Sequence, residues 1–157
     1  MEHADKELKS WLVKASRWAA QRERSKSETE ARLRSWGLDE TWIAEIMDYL
    51  TQEGFLDEDR FARAFVHDHF RFQSWGKIRL RAELQARQVP DAAIRAALQQ
   101  ISAEEYSAAL DKLLIAKRKQ WGGLPKEVQY AKLRTFAARK GYEADWIYNR
   151  LKLILAS

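Results

Sequence analysis

The 157-residue sequence predicts an all-α protein of three tandem three-helix repeats forming an elongated, curved array. Three observations predict it. β-branched residues number only 16, whereas Ala, Leu, Glu, Gln, Lys and Arg fill the long stretches, so intrinsic preference favours helix nearly throughout. The six glycines (Gly37, Gly54, Gly76, Gly122, Gly123, Gly141) and two prolines (Pro90, Pro125) fall between periodic segments, where C-terminal stops and first-turn residues belong. Finally, LDETWIAEIMDYL from Leu38, VPDAAIRAALQQI from Val89 and YEADWIYNRLKLI from Tyr142 superpose without gaps. Ile43, Ile94 and Ile147 coincide, as do Met47, Leu98 and Leu151, and Leu50, Ile101 and Ile154. Offsets of 51 and 53 residues place repeats at 1–54, 55–101 and 102–157.

Local chemistry marks the elements in turn. The first helix runs from about Asp5 to Gln21, with Leu8, Trp11, Leu12, Ala15, Trp18 and Ala19 on one side. Ser25 and Glu28 form a capping box, so a second helix begins there and stops at Gly37. A third is capped by Asp39 and ended by Gly54. In EGFLDEDRFARAFV, Asp57 is the N-cap of the fourth, and Glu58 and Asp59 lie in its first turn, where negative charge suits the helix dipole. The helix preceding each superposed segment also repeats. Leu33, Leu84 and Ala137 share a column, followed by the stops Gly37, Gln88 and Gly141. Gln88 stands where a glycine would be easiest, so the turn before Val89 is expected to take a left-handed residue at some cost.

The sequence excludes several kinds of chemistry. With no cysteine, disulfides, thiolate zinc sites and cysteine nucleophiles are ruled out, consistent with a reducing cytosol. No apolar h-region opens the chain and no apolar run of about 18 residues occurs, so a soluble, unexported protein with no membrane partner is expected. Adjacent acids on a helix diverge by about 100°, which stops Asp57, Glu58 and Asp59 from converging on one ion. His67 and His69 are two apart and diverge likewise, whereas a helical zinc pair wants a spacing of four. No nucleophile elbow or glycine-rich phosphate loop appears, so neither enzyme nor cofactor is expected.

Charge points instead to a partner. Net charge is +5, with a pI near 9.5. Residues 39–60 hold eight acids against one arginine, whereas residues 112–140 hold nine bases against one acid. The basic stretches coincide with the middle helix of each repeat and its approach. They comprise Arg22, Arg24 and Lys26, then Arg71, Lys77, Arg79, Arg81 and Arg87, then Lys117, Arg118, Lys119, Lys132 and Arg134. Any one such stretch reads as a solvated helix face, but a line of three is a track for a phosphate backbone or an acidic groove. Trp11, Trp18, Trp36, Trp42 and Trp146 lie on or beside apolar stripes and read as packing. Trp75, in a turn between Ser74 and Gly76, is either packing or an exposed contact.

Three motifs together resemble the RecX family of RecA-modulating proteins: Arg22-x-Arg24-Ser25-x-x-Glu28, Gly54-Phe55-Leu56-Asp57-Glu58-Asp59-Arg60-Phe61-Ala62, and Trp75-Gly76-Lys77-x-Arg79-x3-Glu83-Leu84-x4-Val89. The resemblance runs from about residue 15 to the end, including Lys132-Leu133 and Lys140-Gly141-Tyr142. Glu23 departs from a common proline, Thr29 from the usual leucine and Gln88 from the usual glycine, and the first helix is longer than the family pattern. The resemblance implies a monomeric, cytoplasmic, non-enzymatic regulator of homologous recombination and the DNA-damage response. Its partner would be the RecA filament on single-stranded DNA, bound in the helical groove, with strand exchange, ATP hydrolysis and co-protease activity inhibited. Charge and position, not the family, select Arg71, Lys77, Arg79, Arg81 and Arg87 as its main contacts, with the bases of the outer repeats assisting. The competing readings are a stand-alone helix-turn-helix-like protein that contacts nucleic acid directly, and an adaptor for an acidic protein.

Overall fold

The computed structural model describes residues 2–156. Among them nine α-helices, one short 3-10 helix and no strand occur. The helices are α1 (Glu2–Ala20), α2 (Lys26–Ser35), α3 (Glu40–Gln52), α4 (Glu58–Gln73), α5 (Lys77–Ala86), α6 (Asp91–Leu98), α7 (Ala103–Arg118), α8 (Lys126–Lys140) and α9 (Ala144–Ile154), with the 3-10 helix at Lys119–Trp121. They form three tandem three-helix repeats, in chain order α1 to α3, α4 to α6 and α7 to α9.

Side-chain oxygens at the helix starts explain where several helices begin. Ser25 and Glu28 make the reciprocal capping box, Asp39 accepts from the Trp42 N–H at 2.9 Å, and Asp57 accepts from the Arg60 N–H at 3.0 Å. Ser102 caps α7 through the Glu105 N–H at 3.0 Å. The repeat columns are physically equivalent. Leu33, Leu84 and Ala137 are all fully buried, and Ile43, Ile94 and Ile147 are at most 3% exposed. The three stops share one backbone state, with φ of 81° at Gly37, 62° at Gln88 and 102° at Gly141. Only the last column drifts: Leu50 and Ile101 are buried, whereas Ile154 is half-buried and the adjacent Leu155 is buried.

The chain divides into two compact units, one of Met1–Ala64 with Leu84–Ile94, the other of Phe65–Glu83 with Arg95–Ser157. In the first, α1 and α2 pack on α3 around Ala15, Ala19, Leu33, Ile43, Ile46, Met47, Leu50 and Leu56, with Trp11, Trp18 and Trp36 closing its edge. Burying each such Leu or Ile side chain contributes about 1.5–3 kcal/mol before chain entropy is counted. Thr29, at a position where leucine would be expected, is fully buried and satisfies its hydroxyl by donating to the Ser25 carbonyl at 2.8 Å. Ser27 donates to the Arg87 carbonyl at 2.8 Å, and Arg60 pairs with Glu23 at 2.7 Å, tying distant parts of this unit together.

In the second unit α7, α8 and α9 pack mutually around Leu110, Leu114, Leu133, Ala137, Ile147 and Leu151. Tyr106, fully buried, is its aromatic hub: its ring lies 4.9 Å from Trp146 edge to face, 5.0 Å from Tyr142 and 6.1 Å from Phe70. Its hydroxyl donates to the Glu143 carboxylate and accepts from the Lys77 N–H at 2.9 Å.

Candidate partner-binding surface

The opening acidic cluster does what helix physics predicts. Asp57 is the cap, and Glu58 is half-buried, its carboxyl pushed up by burial while the nearby Lys26 charge opposes that rise. His67 is exposed beside Asp68, whereas His69 lies flat on the Trp75 ring at 4.4 Å and bonds Gln73. No group of three or more metal-ligating side chains occurs among the described residues. Nor is any helix there long and apolar enough to cross a membrane.

Of the sequence-predicted bases, Arg22, Arg24, Lys26 and Arg87 belong to the first unit and the others to the second. Their environments differ sharply. Arg24 is 7% exposed, stacks on Trp18 at 4.0 Å and donates to the Trp18 carbonyl and to Gln21, and burial lowers its pKa. Arg118 is similarly committed, donating to Gln129 at 3.1 Å and to the Ile154 carbonyl at 3.0 Å. Both act as internal braces. Arg22 is exposed and pairs with Glu28 at 3.0 Å, and Lys26 is half-buried near Glu58.

The middle set is organised by aromatic rings. Arg71 is exposed, 6.0 Å from the ring of the protruding Phe72. Lys77 lies 5.0 Å above Tyr106, and Arg79 lies 4.1 Å above Trp75. Trp75 is therefore neither plain core nor a free contact: half-buried, it is held by Phe65, His69 and Arg79. Arg81 and Arg87 are half-buried. In the third repeat Lys119, Lys132 and Arg134 are exposed, while Lys117 is half-buried, 4.7 Å from Phe136 and 5.6 Å from Trp121.

These cation–ring pairs are the feature that reasoning from charge alone missed. Their signal was present as spacing, since Trp75 and Arg79, and Lys117 and Trp121, are four residues apart, the first pair reaching from the link before α5 onto its first turn and the second from the last turn of α7 onto the 3-10 helix. What the surface can do is bind a polyanion or an acidic face through cations whose aliphatic stems are already ordered by aromatic neighbours.

Comparison with known proteins fixes the lineage. A protein from Chromohalobacter salexigens described as "Regulatory protein RecX" is 34% identical over 134 residues, which cover 85% of each chain. This chain belongs to the RecX family. Residues 57–98 match the family description "RecX, second three-helix domain", which coincides with α4 to α6. A RecX relative from Geobacillus kaustophilus is 29% identical over 90% of this chain, and the match spans about half, 52%, of that relative's length. The crystal structure of RecX from Lactobacillus salivarius has the same fold, with a TM-score of 0.87 at 17% identity over 95% of this chain and 97% of the other. The all-helical repeat is thus the RecX-family architecture.

Proposed function

We propose that this chain is a non-enzymatic, cytoplasmic regulator of homologous recombination that acts as a monomer on a RecA filament assembled on single-stranded DNA. It binds the filament groove and lowers strand exchange, ATP hydrolysis and co-protease activity. The observation that carries this reading is the match over 85% of both chains to a relative described as a regulatory protein. The basic residues recurring in three repeats support it, because a filament offers a repeated ligand, and weak repeated contacts add through effective concentration. Such a ligand alters the filament only as far as it binds one filament state better than another. The contact set is Arg71, Lys77, Arg79, Arg81 and Arg87, assisted by the exposed bases of the third repeat, with Arg24 and Arg118 as braces.

The test is RecA-driven ATP hydrolysis on single-stranded DNA, measured with the full chain and with a variant carrying Ala at those five positions. The wild-type chain is expected to lower the rate, and the variant to do so less while keeping its helical circular-dichroism spectrum. A rate indifferent to the wild-type chain would overturn the proposal. Equal affinity for a naked and a RecA-coated strand across a salt series would give the function to direct DNA binding instead.

A further inference from the structure

A groove of about 340 Å³ in the second unit is lined by Trp121, Ala131, Lys132, Thr135, Phe136 and Arg139. Trp121 sits in the 3-10 turn between α7 and α8, and the other lining residues follow one another along α8. No carboxylate is among them, while the ammonium groups of Lys117 and Lys132 each hover 5.6 Å from the Trp121 ring and Lys117 also lies 4.7 Å from Phe136. Both rings are only half-buried.

We infer that this groove is a stacking site for single-stranded nucleic acid: a base lies against Trp121 and Phe136 while Lys117, Lys132 and Arg139 take the adjoining phosphates. The inference goes beyond the proposed regulation and does not rest on it. Two lining cations, Lys132 and Arg139, with Lys117 against the same rings and no acid among the lining residues, favour a polyanion. Two half-exposed rings beside them favour a polyanion that carries flat apolar faces, and only an unpaired strand leaves those faces accessible. The lysines are the movable parts. An exposed cation–ring contact is weaker than the stack of a base on tryptophan, so a base can displace the ammonium groups, which swing on their four-carbon stems to the phosphates. One ring face in the first unit shows the contrast. There Trp18 is covered by Arg24, whose guanidinium is pinned by the Trp18 carbonyl and Gln21, so that ring face is closed.

Binding of labelled oligothymidylate to the full chain, without recombinase, tests this by fluorescence anisotropy. Trp121→Ala is expected to weaken binding roughly five- to hundredfold, whereas Trp121→Phe retains most of it. Replacing Lys117 and Lys132 together by Ala should reduce the slope of log affinity against log salt by about 1.4. Thr135→Glu, which puts a carboxylate at an exposed position in the groove, should abolish binding without touching the core, and it decides the matter if Trp121→Ala does not fold. Unchanged binding in Trp121→Ala and in Thr135→Glu would overturn the inference. So would a Trp121→Phe loss as large as the Ala loss, or polyglutamate competing as well as the oligonucleotide, which would assign the groove to an acidic peptide. None of these results bears on inhibition of the recombinase, so failure here leaves the proposed function standing.

Discussion

Gly76 and Gly141 meet backbone to backbone, so that the end of α8 caps the start of α5. The Gly76 N–H donates to the Lys140 carbonyl at 2.8 Å and the Ile78 N–H to the Gly141 carbonyl at 3.0 Å, with the Lys77 N–H between them held by Tyr106. Three amide donors at one helix start and two carbonyls at another helix end are thereby satisfied together. The approach requires both glycines: a Cβ on Gly76 would overlap the Gly141 carbonyl and stand 2.5 Å from the Tyr142 nitrogen, and one on Gly141 would stand 2.7 Å from the Arg79 nitrogen.

Gly76→Ala should therefore destabilise the fold by about 2–3 kcal/mol, because neither backbone can retreat without breaking this shared set of bonds. Gly37→Ala is the control. Its φ is 81° but nothing lies within 4 Å of a Cβ there, so only the left-handed penalty of about 1–2 kcal/mol applies. Urea denaturation midpoints of the two variants should rank in that order.

Tyr106→Phe removes the hydroxyl that accepts from Lys77 and donates to Glu143, at a cost of about 1–3 kcal/mol for the buried groups left unpaired. It should also change the alkaline limb of stability. Burial raises the phenol pKa of both Tyr106 and Tyr142, with Glu143 adding to each rise. Above about pH 10 the unfolded chain therefore loses these protons first, and stability falls with rising pH by roughly 1.4 kcal/mol per unit for each tyrosine. Below that pH their contribution is complete. Denaturation between pH 9 and 11 should show a shallower decline in Tyr106→Phe than in the wild type.

Gln88 holds the left-handed turn that Gly37 and Gly141 hold in the other repeats, at φ 62° and with an exposed side chain. Gln88→Gly should stabilise the chain by about 0.5–1 kcal/mol, since relief of the Cβ clash outweighs the added freedom of the unfolded chain. A thermal melt with an unchanged or lower midpoint would refute this.

Arg24 and Arg22 set a bracing arginine beside an exposed one. Arg24→Ala should cost about 2–3 kcal/mol by removing a stacked, hydrogen-bonded side chain from a nearly closed site. Arg22→Ala, at an exposed ion pair with Glu28, should stay within about 0.5 kcal/mol. Chemical denaturation of the two variants distinguishes them directly.

What the sequence made legible was everything carried by local periodicity and capping. Leu33, Leu84 and Ala137 could be aligned because each repeat buries the same helical face, and Ser25, Asp39 and Asp57 announced their helices because an unpaired amide needs an oxygen. The left-handed Gln88 was readable as an exception within a repeat. The approach of Gly76 to Gly141 was not, because the two are 65 residues apart and nothing near either glycine encodes its partner. Equally hidden was the division of the arginines. Arg24 and Arg22 look alike in composition, and only the ring of Trp18 makes one of them part of the core. Ile154 kept its place in the repeat but yielded burial to the adjacent Leu155, which no residue-type pattern in the repeat announces.

The interleaving of the two compact units bears on how the chain is made. The first unit takes in the segment Leu84–Ile94 as well as the first 64 residues, while the stretch between them belongs to the second. During synthesis, α1 to α3 emerge with their shared core, Ala15 to Leu56, already made, whereas Ser27 waits for the carbonyl of Arg87, 60 residues downstream, before that edge of the unit closes. A ribosome stalled near residue 80 would therefore carry a nascent chain in which neither unit is whole.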